Sequence, residues 1–164
     1  RDSNTDNPER LSAIFSTLKE LSEANSMPMI MPLHPRTMIA LRNRVPELYA
    51  AISDHPFMMV IPPVSFLEMI LLEKRARLII TDSGGVQKES HFFSRPCIVL
   101  RKETEWGELV RNGKVKRADA SPARIKDAWD YFIANSSTLQ YPAFYGDGKA
   151  AIVILKEILA VFRS

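Results

Sequence analysis

Apolar residues recur at helical spacing near the start of the chain. Leu11, Ile14, Phe15, Leu18 and Leu21 fall on one face, after Asn7 in N-cap position and Pro8 at the first helical position. This predicts an amphipathic helix. The period then changes. Met27 to Leu33 is a short apolar run interrupted by Pro28 and Pro32, long enough for a buried strand and too short for a helix. The polar turn His34-Pro35-Arg36-Thr37 leads into a second helix from about Thr37 to Asn43. The alternation repeats: Phe57 to Ile61 reads as a strand, Ser65 to Lys74 as a helix, Arg77 to Thr81 as a strand, Gly85 to Phe93 as a helix and Pro96 to Arg101 as a strand. Nearly continuous apolar strands between helices predict a parallel sheet covered on both faces, a Rossmann-like α/β layer.

Beyond Arg101 the reading gives a short helix near Glu105 to Arg111, a weak strand at Val115, and a helix capped by Ser121 with Pro122 at its first position. Phe144 to Gly148 reads as a turn, and the last helix carries Ile152, Leu155, Ile158, Leu159 and Phe162 on its apolar face. No internal repeat or low-complexity tract interrupts the pattern.

Composition narrows the class. With 164 residues and 46% hydrophobic content, the chain suffices for a single domain over residues 1–164 with a sizeable core. The net charge of +3 arises from 22 basic against 19 acidic residues spread along the chain, so no basic tail points to nucleic acid. Cys97 lies alone in the apolar run Pro96 to Leu100, which excludes an internal disulfide and reads as a small buried hydrophobe. No run approaches the ~18 apolar residues of a membrane span, and no signal-peptide pattern opens the chain. The expectation is a cytoplasmic location without membrane contact. Because the chain opens on Arg1 rather than methionine, it is expected to be a piece of a longer protein.

Leu78 to Thr81 is a buried strand running into Asp82-Ser83-Gly84-Gly85 and then a helix. In open parallel sheets ligands bind outside the carboxyl ends of the strands, where this turn lies. Ser83, Gly84 and Gly85 lack bulk, so phosphate oxygens can reach backbone N–H groups at the helix start. Glu89, six residues after Ser83, is placed to accept the hydroxyls of a ribose. By spacing alone, a tight structural turn with a solvated glutamate fits as well.

Thr81-Asp82-Ser83-Gly84-Gly85-Val86-Gln87-x-Glu89, followed by Pro96, Arg101 and Thr104-Glu105-Trp106-x-Glu108, resembles the signature of bacterial and archaeal UDP-N-acetylglucosamine 2-epimerases. The segment Arg1 to Leu11 resembles the family's His-Arg-x-Glu-Asn element without its first histidine. Pro32-Leu33-His34-Pro35 and Tyr145-Gly146-Asp147-Gly148-Lys149-Ala150 are similar to two further family elements. The resemblance implies one half of a glycosyltransferase-B fold, binding UDP or a UDP-sugar. Ser83, Gly84 and Gly85 would hold the pyrophosphate, Glu89 the ribose, and Phe66 and Met69 would lie near the uracil. It further implies elimination and re-addition of UDP without metal or other cofactor. The proton-moving carboxylates would lie in an N-terminal domain outside this chain, so no catalytic residue is assigned here, and the full-length protein would be a homodimer.

Three departures stand out: the histidine before Arg1 is missing, Ser3 replaces the expected glutamate, and Trp106 stands where many of these enzymes have arginine. The last is associated with relatives acting on other UDP-sugars. Lys114 to Arg117 is also more basic than the family's usual segment. His34 is a candidate for the phosphate or sugar, or else a helix cap. Arg101 is a candidate bidentate phosphate donor, or else part of a surface ion pair. His55 and His91 lack metal-ligand spacing and read as structural; Met58, Met59, Phe92 and Phe93 read as core. Two alternatives share these features: the donor-binding half of a glycosyltransferase, and a non-catalytic UDP-sensing module.

Overall fold

Prolines and side-chain oxygens punctuate the helices. The computed structural model describes residues 2–162. It opens with α1 (Asp2–Thr5) and α2 (Pro8–Ala24), where the Asn7 side chain accepts from the Arg10 N–H at 2.9 Å. After β1 (Met29–Pro32) come α3 (Pro35–Arg44) and α4 (Pro46–Ser53). Pro46 pushes Val45 out of helical conformation, so one helix stops and another begins. After β2 (Met58–Ile61), α5 (Phe66–Arg75) starts in a capping box between Ser65 and Glu68. Then follow β3 (Ile79–Thr81), α6 (Gly84–Phe92), β4 (Cys97–Val99), α7 (Gly107–Arg111) and β5 (Val115–Arg117). The chain ends in α8 (Pro122–Asn135), a 3-10 turn (Ser136–Thr138) and α9 (Ala150–Phe162).

Every strand pairing is parallel. Met29 to Pro32 register with Met58 to Ile61, Ile79 to Thr81 with Cys97 to Val99, and Cys97 to Val99 with Val115 to Arg117. The architecture is the expected α/β one with parallel strands. The sheet, however, is divided: β1 pairs with β2, and β3, β4 and β5 form a second group.

Alternation along β4 shows why its run is wholly apolar. Ile98 and Leu100 join the main core, with Leu11, Ile14 and Phe15 of α2, Leu41, Ile52, and Ile125, Trp129 and Phe132 of α8. Cys97 and Val99 point to the opposite face, into a cluster with Ile79, Leu109 and Val115. Helices therefore cover both faces of this group, the three-layer arrangement. Each such buried side chain contributes roughly 1.5 to 3 kcal/mol. Burial also pushes the Cys97 thiol up to about 12, leaving it an inert thiol.

Several sequence expectations change in detail. The helix expected from Thr37 begins at Pro35, and α4 was not anticipated. Met58 is buried, but Met59 and Phe92 are about half exposed rather than core. None of the residues of α9, its apolar face included, is buried. Lys114 to Arg117 finds a physical role: Lys114 is buried with its ammonium 5.5 Å from the Tyr141 ring, and that of Lys116 lies 3.9 Å from Tyr131. His55 accepts from the Phe57 N–H at 3.3 Å, while buried His91 stacks on Phe144 at 5.3 Å with Nε2 2.7 Å from the Pro142 carbonyl. No helix among the described residues is long and apolar enough to cross a membrane.

Candidate functional site

Because the strands within each group run the same way, the loops that follow them gather at one end of that group, and α1 ties the two ends together through Arg36 with Asp2 and Asn4 with Asp82. His34 follows β1, Phe66 and Met69 follow β2 on α5, Ser83 follows β3, and Arg101 follows β4. Ser83 is the N-cap of α6 but its side chain makes no capping hydrogen bond. The first N–H groups of α6 therefore have no partner from that hydroxyl. Gly85 is exposed, and a Cβ there would meet only the Ser83 Oγ, at 3.9 Å. A Cβ on Gly84 would come within 3.3 Å of the Glu105 carboxylate, so a side chain there would require that carboxylate to shift by a few tenths of an ångström.

That loop grips the turn from inside. The Trp106 indole N–H donates to the Gly84 carbonyl at 2.7 Å, and the Gln87 amide donates to the Ser83 carbonyl at 3.1 Å. Thr104 hydroxyl donates to Gln87 Oε1 and accepts from the Trp106 N–H at 3.2 Å. Gln87 is fully buried, so this network is shielded from water. Beyond it, the Lys88 ammonium lies over the rings of Tyr145, at 4.5 Å, and Trp106, at 5.0 Å. Tyr145 donates to Glu108 at 2.7 Å; the bond holds the Glu108 carboxyl below its ordinary value.

A second network ties the start of the chain to the same edge. Asn4 Nδ2 donates to Asp82 at 3.2 Å and to the Leu100 carbonyl at 2.9 Å, while its Oδ1 accepts from Arg10 at 2.9 Å. Arg10 also makes a two-pronged pair with Asp119, at 2.5 and 3.3 Å, and that hydrogen bonding holds the Asp119 carboxyl low.

The polar candidates differ in how they are held. Arg101 pairs with Glu105 through both terminal nitrogens, at 3.0 and 2.9 Å, which is its ion-pair reading. His34 caps α3, its Nδ1 accepting from the Arg36 N–H at 3.2 Å. Phe66 is strongly exposed and Met69 partly buried one turn on. Glu89 is partly buried and faces Glu73 on α5, a buried side chain whose carboxyl oxygens have no hydrogen-bond partner. Burial first, then the neighbouring Glu89 charge, push the Glu73 carboxyl up to about 7.

The family model for UDP-N-acetylglucosamine 2-epimerase matches residues 1–159. The chain belongs to the UDP-N-acetylglucosamine 2-epimerase family. The UDP-2,3-diacetamido-2,3-dideoxy-D-glucuronate 2-epimerase of Pseudomonas aeruginosa is 46% identical over 69% of this chain and 29% of its own length. The UDP-N-acetylglucosamine 2-epimerase of Methanocaldococcus jannaschii is 33% identical over 95% of this chain and 42% of its own. The structure of the UDP-GlcNAc 2-epimerase from that organism superposes with a TM-score of 0.89 at 32% identity, over 98% of this chain and 44% of the other. Its complex with UDP-GlcNAc and UDP gives 0.85. The chain thus spans less than half the length of these epimerases. All carry epimerase descriptions, and the glycosyltransferase alternative is not favoured.

Within this epimerase-family chain, Asn4, Arg10, Gln87 and Thr104 lie inside the motif-bearing segments, whereas Asp119 lies outside them. Pairing across 109 positions, as between Arg10 and Asp119, has no local signature. Polar residues inside otherwise apolar or motif-bearing segments, Gln87 above all, were the available signal.

Proposed function

We propose that this chain is the nucleotide-holding part of an enzyme that epimerises UDP-N-acetylglucosamine, or a related UDP-sugar, at C2. The observation that carries this reading is the glycine turn: the Ser83 side chain leaves the first N–H groups of α6 uncapped, Gly85 is exposed, and the carbonyls of Ser83 and Gly84 are held by Gln87 and Trp106. Such a helix start stabilises an anion by roughly 0.3 to 1 kcal/mol per contact, and up to about 2 when partly buried. In this reading Ser83, Gly84 and Gly85 hold the pyrophosphate and Glu89 the ribose hydroxyls. Phe66 and Met69 flank the uracil, and Arg101 and His34 stand at the phosphate and sugar.

A base outside this chain removes the C2 proton, and the freed electron pair forms the C1–C2 double bond. The C1–O bond breaks with its pair leaving on UDP, and re-addition with a proton delivered to the other face of C2 inverts that centre. The contribution of this chain is to hold the departing diphosphate, whose developing charge meets the oriented N–H groups of α6. The base and the opposite wall of the cleft belong to a preceding domain. A buried thiol without a disulfide partner fits the reducing cytoplasm, and the complete protein is read as a homodimer.

The test is a titration with UDP, with ADP as control, followed by amide NMR shifts at Gly84, Gly85 and Glu89. Saturable UDP-selective shifts are expected, weak in this chain because half a cleft forfeits contact area. No shifts in the complete protein at millimolar UDP would overturn the reading.

A second sugar has specific support. The Pseudomonas aeruginosa relative is named for a diacetamido-dideoxyglucuronate, and Trp106 stands where many family members have arginine. Comparing turnover of that sugar nucleotide and UDP-N-acetylglucosamine by the complete protein decides between them.

A further inference from the structure

Helix α5 buries one residue, and that residue is acidic. Leu67 and Leu71 of the helix are exposed, whereas Glu73 is 4% exposed. Both of its carboxyl oxygens are shielded from water, and neither has a hydrogen-bond partner among the described residues. A buried polar group in that condition costs free energy that an apolar side chain of the same size would not. Nor does a cation pair with it among the described residues: the Lys74 ammonium lies over the Phe93 ring at 5.3 Å, and Arg95 donates to the Lys74 carbonyl at 2.6 Å. Ser90 of α6 directs its hydroxyl to the Gln87 carbonyl, at 2.7 Å. The titratable groups that act on Glu73 among the described residues are Glu89 of α6 and the Cys97 thiol of β4, which burial keeps protonated.

Glu73 therefore stands unpartnered behind the side chain read as the ribose acceptor. Helix α5 follows β2 and α6 follows β3, so each starts at the carboxyl end of a strand and runs back along the sheet, and the two helices pack against each other. At about 1.5 Å per residue, Glu73 lies roughly 10 Å along α5 from Phe66, and Glu89 roughly 7.5 Å along α6 from Gly84. The two carboxyls are thus at comparable depth below the edge. Met69 and Glu73 are one turn apart on the same face of α5, with Met69 on the uracil side. A carboxylate offers about four lone-pair positions on its two oxygens. Glu89 can therefore accept from ribose hydroxyls on one side and from a protonated neighbour on the other.

We propose that Glu73 is a positioning residue for the ribose: carrying its proton, it donates to Glu89 when nucleotide binds and fixes the orientation in which Glu89 accepts the ribose hydroxyls. The inference rests on the proposed function in taking Glu89 as the ribose acceptor. An O–H donor on an ionised acceptor belongs to the stronger class of hydrogen bond. Burial and the neighbouring Glu89 charge push the Glu73 carboxyl up to about 7, so the proton is present near neutrality. Its loss removes the donor and sets two negative carboxyls side by side. Because the bond in the complex favours the protonated form, nucleotide affinity is full below about 7 and falls as pH rises above it.

The test is the UDP affinity of the complete protein, measured calorimetrically from about pH 7 to about pH 8.5 for the parent, Glu73→Gln and Glu73→Leu. Both variants nearly conserve the buried volume. The parent is expected to weaken on the order of tenfold over that range. Glu73→Gln, whose amide N–H still donates, should stay within about threefold of the parent at the lower pH and lose the pH dependence. Glu73→Leu, with no donor, should bind on the order of tenfold more weakly at the lower pH. Parental affinity in Glu73→Leu, or a fall with pH that persists in Glu73→Gln, would overturn the proposal. The ribose reading is checked separately with 2′-deoxy-UDP, which the parent should bind more weakly than UDP. Equal affinity for the two nucleotides would overturn that reading and the inference with it, by an observation distinct from either variant's behaviour.

Discussion

The two ends of the chain invert the usual relation between composition and burial. Helix α1 is four residues of polar sequence, yet Asn4 and Thr5 are among the most buried polar residues. Helix α9 is thirteen residues, almost entirely apolar, and none is buried. The first end is held by directed bonds to Asp82, Leu100 and Arg10; no residue of the second is buried by the described residues. An apolar run secures a place in a fold only where a partner surface is supplied, whereas one satisfied amide can anchor a segment too short to be a stable helix.

The largest expected effect comes from breaking the polar end. Asn4→Ala removes its hydrogen bonds to Asp82, Leu100 and Arg10 at a shielded position and should cost about 2 to 3 kcal/mol, read as a lower urea midpoint with unchanged slope. If stability stays within about 0.5 kcal/mol of the parent, the amide is not the anchor and the contrast between the ends fails.

Glu73 sharpens the contrast, being buried like Asn4 but without a hydrogen-bond partner. Its carboxyl sits at about 7 in the folded chain, chiefly through burial, against about 4.3 unfolded. Between these values the folded state binds the extra proton, so stability is highest below the lower value and falls as pH rises to the higher one. The fall should be on the order of 2 to 3 kcal/mol. Glu73→Gln should flatten it, as measured by denaturation at about pH 5 and about pH 8. A parent whose stability is unchanged between them would show that Glu73 is ionised in the fold.

The smallest effect is expected at the apolar end. Leu155→Glu with Leu159→Glu should change the stability of this chain by less than about 0.5 kcal/mol, because neither side chain is buried. A larger loss would mean that α9 packs on the domain after all.

Most of the elements were legible because period and punctuation agree: Asn7-Pro8, Ser65 with Glu68, and Ser121-Pro122 all mark helix starts where the structure has them. The position of the glycine turn at a strand's carboxyl end was also readable, and the structure places His34, Phe66, Met69 and Arg101 along the same edge. Pairing was not readable. The division of the sheet depends on which strands pair, which sequence period cannot reveal. Nor could the length of the last apolar run tell a buried helix from an exposed one. Lys114 and Lys116 looked like unexplained charge because their partners, Tyr141 and Tyr131, lie on a later part of the chain.

The clamp behind the glycine turn also bears on the charge that the proposed site would favour. The carbonyl oxygens of Ser83 and Gly84 are already occupied by donors from Gln87 and Trp106. The Ser83 side chain leaves the first N–H groups of α6 uncapped, and the Ser83 hydroxyl and the Glu105 carboxylate stand beside them. In the proposed reading an anion would meet those N–H groups. Under that reading neutral backbone would serve the anion, through a division of labour in which side chains engage the carbonyl half of each peptide's polarity and leave the N–H half for the ligand.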